Sequence, residues 1–134
     1  LNGVPGPIHL LEMKDKIGLT TAQVTQIRVI YQAMRAKAQL LGREFIDIER
    51  ALDDQFRTGT ISKPVLKDLL TRSARVRMQL RETHLAAHLQ SRPILSRAQI
   101  EQYNQLRGYG QADRCATVPK GHDAAMWRKH HGCK

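Results

Sequence analysis

The sequence predicts an all-α protein built as a long antiparallel helical hairpin with short flanking helices. Apolar residues recur at alternating spacings of three and four over residues 24–52, which is typical of a helix that packs against another helix. The composition is 41% hydrophobic but only 4% aromatic, which favours the aliphatic core of packed helices over that of a sheet. Two nearly identical helix-start motifs, "LTTAQ" and "LSRAQ", flank the hairpin.

The first two predicted helices differ greatly in length. Pro7 fits the first turn of a short helix over residues 8–18, which Gly18 closes. The next helix runs over residues 20–57, roughly 55 Å at 1.5 Å per residue. Gly59 fits its C-terminal cap. The apolar seam of this long helix consists of Val24, Ile27, Tyr31, Met34, Ala38, Leu41, Phe45, Ile48 and Leu52.

The third predicted helix covers residues 63–90, because Ser62 and Pro64 fit a new first turn and Pro93 stops it. A second apolar line beside its seam, formed by Met78, Leu85 and Leu89, predicts contacts with more than one neighbour. The seam itself is Leu66, Leu69, Ser73, Val76, Leu80, Thr83 and Ala87.

A fourth, shorter helix is predicted over residues 97–106. The residues that follow are rich in Gly, Lys and His and show no clear periodicity. We therefore predict one helical domain over residues 1–108 and an irregular tail over residues 109–134.

The repeated motif predicts two capped helix starts. With Thr20 at the N-cap, Gln23 is the third helical residue and can return a hydrogen bond to the N-cap amide, while Leu19 packs on Val24. This arrangement is a capping box with a hydrophobic staple. The second copy has the same spacing, with Leu95, Ser96, Gln99 and Ile100 in the four positions. Helix capping explains both copies without a ligand.

These two boxes, in a small basic helical chain, resemble the LTxxQ family, the group of Spy and CpxP with the metal-linked relatives ZraP and CnrX. The resemblance covers residues 8–109. It implies a periplasmic protein whose export signal has been removed, and a helical hairpin that forms a cradle-like homodimer. It also implies an ATP-independent chaperone for unfolded clients or an envelope-stress modulator that acts on a stress sensor. The alternative is a periplasmic metal-binding sensor or resistance protein of the same fold. The tail, which contains two cysteines, one tryptophan and three histidines, is not part of the pattern expected for Spy.

The net charge of the chain agrees with a role in binding unfolded clients. The chain carries a formal net charge of +10, and the excess of basic residues lies in its second half, which favours acidic partners. We expect unfolded or acidic client segments to bind the third helix through arginines and adaptable apolar side chains. The alternative is that the arginines face solvent and the apolar residues form a dimer core. The candidate client-binding residues are Arg72, Arg75, Arg77, Met78, Arg81, Leu85 and Leu89.

Two groups of residues suggest a metal. His84 and His88 are one helical turn apart, a spacing that helical zinc, copper or nickel sites use. A third ligand would have to come from Glu82, Glu101, His9 or a partner subunit, and the alternative is a pair of surface histidines.

The tail holds Cys115 and Cys133. In an oxidising compartment we expect a disulfide between them, contributing roughly 3 kcal/mol in the chain-entropy model. A zinc set with the tail histidines is the alternative.

Other function classes fit less well. No nucleophile elbow, phosphate-binding glycine loop or zinc-protease signature occurs, so we expect no enzyme and no required cofactor. Nucleic-acid binding is suggested by the charge alone, because no DNA-reading motif is present. No run of about 20 apolar residues occurs, so we expect no membrane span.

Overall fold

The computed structural model describes residues 3–109 and 123–130. Those residues form helices joined by turns, with no strand among them, and the predicted all-α hairpin is confirmed. The helices are α1 (Pro7–Glu12), α2 (Thr21–Arg57), α3 (Lys63–Ser91), α4 (Arg97–Leu106) and α5 (Ala124–His130), with a 3-10 turn at Arg92–Ile94 between α3 and α4.

Helices α2 and α3 pack against each other along the two predicted seams. Leu41 and Ile48 of α2 meet Leu69 and Val76 of α3 in one apolar cluster. The hairpin turn after α2 places Gly59 at φ +68°, a conformation that a glycine adopts without strain. Ser62 then caps α3 by accepting a hydrogen bond from the Val65 amide.

A second core closes the open end of the hairpin. It joins α1, the start of α2 and α4, and its buried members are Leu10, Ile17, Ile27, Leu95 and Tyr103. Because these residues come from both ends of residues 3–109, this cluster fixes the short helices onto the hairpin.

Two parts of the chain differ from the prediction. Helix α1 ends at Glu12 rather than near Gly18, and residues 13–18 form turns instead. This turn lets Ile17 reach the core with only 2% of its surface exposed. In the tail, which was predicted to be irregular, α5 begins after Asp123, whose carboxylate accepts from the Met126 amide at 2.8 Å.

No helix within residues 3–109 or 123–130 is both long and apolar enough to cross a bilayer.

Candidate functional site

Both predicted capping boxes are present. The Thr20 hydroxyl accepts from the Gln23 amide at 3.2 Å, and the Gln23 side-chain oxygen accepts from the Thr20 amide at 3.0 Å. At the start of α4, Ser96 and Gln99 make the same two bonds at 3.2 and 3.0 Å. Each motif therefore satisfies two backbone N–H groups that a helix start would otherwise leave without partners.

The two motifs also bind each other, which the sequence analysis missed. The side-chain amides of Gln23 and Gln99 exchange hydrogen bonds of 2.9 and 3.0 Å. Each amide nitrogen donates a second bond across the pair: Gln23 to the Ile94 carbonyl at 2.8 Å, and Gln99 to the Gly18 carbonyl at 3.0 Å. Gly18 and Ile94 occupy the same position, two residues before the N-cap of each motif.

This pair has approximate twofold symmetry that continues into the core. Ile27 and Tyr103, each seven residues after its N-cap, are both buried in the cluster at the open end of the hairpin. The signal that could have revealed the contact is the repeat itself. Two identical caps with the same flanking residues can form a symmetric, mutually satisfied pair.

The candidate client-binding surface lies on the side of α3 that faces away from α2. At about 100° per residue, Met78, Leu85 and Leu89 fall on the side of the helix opposite the buried Val76. Met78 is 57% exposed and Leu89 is 68% exposed, while Leu85 is half-buried. We call these three residues the outer line. The line lies opposite the seam, not beside it as the sequence analysis stated, and its two ends, Met78 and Leu89, are exposed.

Arginines border the outer line on both sides. Arg77 and Arg81 lie on one side, where Arg77 stacks 6.0 Å from the centre of the Phe45 ring. At about 100° per residue, Arg75 falls on the other side of the line. Arg72 is turned towards α2, where it lines a groove with Leu40 and Asp47, and it forms an exposed ion pair of 3.7 Å with Asp68. Such exposed pairs contribute little to stability.

Most of these cations are not neutralised by the protein itself. Among the residues that the structure describes, no carboxylate lies within 4.0 Å of the guanidinium groups of Arg75, Arg77 or Arg81. All three side chains are exposed. The surface can therefore attract a carboxylate from another chain without first breaking an internal ion pair.

The predicted histidine pair has two different environments. His84 is exposed, and its Nδ1 donates to the Leu80 carbonyl of its own helix at 2.8 Å. His88 is half-buried, and its Nδ1 donates to the Val4 carbonyl at 2.7 Å. Both rings thus keep Nε2 as the atom that could bind a metal. The Nε2 of His88, however, faces Gly6 so closely that a Cβ there would lie 2.8 Å away.

Further metal ligands do not gather near this pair. Within residues 3–109 and 123–130, no cluster of three or more His, Cys, Asp or Glu side chains could hold a metal ion. Cys115 and Cys133 fall outside the described residues, so the predicted disulfide stays a prediction.

The comparisons with known proteins place these features in a family. No curated protein and no solved structure shows a significant match to this chain. A family model described as "LTXXQ motif family protein" matches residues 9–107, which include both capping boxes and the whole hairpin. Since this match spans well over half of the chain, the protein belongs to the LTXXQ motif family.

Proposed function

We propose that this protein is a periplasmic, ATP-independent chaperone or envelope-stress modulator that holds unfolded or acidic protein segments on the outer line of α3. The main supporting observation is an apolar line, including Met78 and Leu89, that is exposed along a packed helix. Arg75, Arg77 and Arg81 border this line and form no ion pair among the residues that the structure describes. Isolated exposed apolar residues are common. A row of them with cationic borders suits weak binding of chains that display both apolar and acidic side chains.

Membership of the LTXXQ family supports the periplasmic location and a role without catalysis. The homodimer that we predict from the resemblance belongs to this proposal as well. In a cradle of two hairpins, two outer lines would face the same client and add their weak affinities.

Aggregation assays test the proposal. Several unrelated unfolded clients are diluted from denaturant with the full chain at near-stoichiometric ratios and without nucleotide. We expect light scattering to fall for most clients, and to rise again with salt because arginine contacts are screened. A chain that suppresses no client at any ratio would contradict the proposal.

A second candidate is a metal-binding sensor of the same fold. It is favoured by the spacing of His84 and His88, whose Nδ1 atoms both donate to backbone carbonyls. Because the Nε2 of His88 faces Gly6, metal binding by both rings would require residues 3–7 to move. Titration calorimetry with zinc, copper and nickel tests it. Binding that disappears in the H84A/H88A variant supports the sensor. Absence of binding, or binding that the variant retains, excludes this site.

A further inference from the structure

We propose that the groove between α3 and α4 is a recognition site for an extended, proline-containing peptide, and that the chain's own residues 3–7, here called the strap, occupy it as a displaceable ligand. The strap runs past Asn104 on α4 and His88 on α3 before it enters α1. This inference concerns a surface separate from the outer line and does not depend on the proposed function.

The strap is held in the way that proline-rich ligands are recognised. Gly6 has φ −86° and ψ 156°, which is close to polyproline II geometry. Pro5 and Pro7 are both fully buried. Because proline has no N–H group, such a segment presents mainly carbonyls and ring surfaces to its partner. Grooves that bind this conformation gain affinity from its low entropy.

The His88 ring contacts the strap at two points, a backbone carbonyl and a residue without a side chain. Its Nδ1 donates to the Val4 carbonyl at 2.7 Å. The edge of the same ring closes on Gly6, where a Cβ would lie 2.8 Å from both Cε1 and Nε2. A contact below 3.0 Å requires the ring or the strap to shift, and a shift of the ring strains its bond to the Val4 carbonyl. The His88 ring therefore favours a carbonyl followed two residues later by glycine.

The other end of the groove shows that the strap does not satisfy the site completely. The side-chain oxygen of Asn104 is buried and has no hydrogen-bond partner within the described residues. The strap residue beside it is Gly3, in a left-handed conformation with φ +75°. A buried acceptor without a partner has a free-energy cost. A peptide that offers a donor at this point would bind more completely than the strap does.

Exchange of the strap needs only local opening. Leu10 of α1 is fully buried in the core and keeps α1 in place. Residues 3–8, which include the strap and the first turn of α1, lie before this anchor, so they can leave His88 and Asn104 while the hairpin stays folded. The site then accepts the same peptide chemistry from another chain.

Fluorescence anisotropy with a labelled peptide of sequence GVPGPI tests the inference on full-length variants. We expect wild type to bind weakly because the strap fills the groove. The Gly6→Ala variant keeps an intact groove but rejects its own strap, so we expect it to bind the peptide at least tenfold more tightly. Adding His88→Ala to Gly6→Ala should remove that gain, and a GVPAPI peptide should not bind. Gly42→Ala, which has open space around its Cβ position, should behave as wild type.

Hydrogen exchange gives a second readout that does not depend on Gly6→Ala being well folded. His88→Ala alone should speed exchange of the Leu10 amide, which donates to the Gly6 carbonyl at 3.2 Å, at least tenfold, whereas His84→Ala should not. The inference is overturned if both histidine variants match wild type. It is equally overturned if Gly6→Ala binds GVPGPI no better than wild type, or if the double variant keeps the gain.

Discussion

The side-chain amides of Gln23 and Gln99 hydrogen-bond to each other in both directions, across 76 positions of sequence. Each amide also caps its own helix and donates to a carbonyl on the opposite side of the pair. The LTXXQ glutamines therefore join the start of α2 to the start of α4 while each caps its own helix.

Replacing either glutamine should destabilise the fold more than the loss of a surface cap does. Gln23→Ala removes the bonds to Gln99 and Ile94 and leaves their polar groups half-buried, so we expect a loss of about 2–3 kcal/mol in the free energy of unfolding. Denaturant unfolding measures it. Gln26→Ala, an exposed glutamine one turn away, is the control and should change stability by less than about 0.5 kcal/mol.

The contact between the motifs should also appear as an energetic coupling between the two glutamine substitutions. In a double-mutant cycle, Gln23→Ala and Gln99→Ala together should cost about 1 kcal/mol less than the sum of the single changes, because each single change already breaks the shared bonds. Additive effects would show that the glutamines act only as separate caps.

The hydroxyl group of each motif should stabilise only the start of its own helix. Ser96→Ala should cost about 1 kcal/mol, since the Gln99 amide loses its acceptor. Ser96→Thr keeps a hydroxyl and should retain most of that stability. Unfolding curves of the two variants compare them directly, and equal losses would contradict the capping role.

The hairpin seam can be tested with two neighbouring isoleucines. Ile48 is 2% exposed and lies in the core cluster with Leu69, whereas Ile46 is 48% exposed. We expect Ile48→Ala to lower the free energy of unfolding by about 2–4 kcal/mol, through lost burial and a residual cavity. Ile46→Ala should cost less than about 1 kcal/mol. Similar losses at both positions would contradict the observed packing of α2 on α3.

Alkaline pH should weaken the core at the open end of the hairpin. Burial raises the pKa of Tyr103 above its ordinary value, although the nearby Arg107 opposes the shift. The folded state then retains the phenol proton at pH values where the unfolded chain has released it. Stability from this group is therefore complete below pH of about 10 and is lost as the pH rises through the folded pKa. Tyr103→Phe should show a shallower decline in stability above that pH, and an unchanged decline would contradict the assignment.

Much of this fold could be predicted from residue patterns, because helix periodicity and caps are local signals. The bounds of α2, α3 and α4 agree with the prediction to within one residue. The end of α1 could not be predicted from local signals, because the burial of Ile17 depends on tertiary contacts with α2 and α4. The start of α5 could have been predicted from Asp123, a common N-cap residue.

The site was only partly predictable for the same reason. The outer line was visible as a second apolar row, and the exposure of Met78 and Leu89 agrees with an available surface. The role of His88 was not visible, because its partner Val4 lies 84 positions away. Spacing along one helix suggested a pair with His84. The structure instead shows that the ring of His88 contacts the strap.

The most direct test of the proposed function is the affinity of an unfolded client for two matched charge variants, measured by titration calorimetry. Met78→Asp with Leu89→Asp changes the outer line of α3. Val29→Asp with Leu40→Asp changes two residues of α2 that are 62% and 60% exposed. We predict that the α3 variant loses at least tenfold in affinity, while the α2 variant stays within twofold of wild type. Equal affinities for all three proteins, or a loss confined to the α2 variant, would contradict the assignment of the client surface to α3.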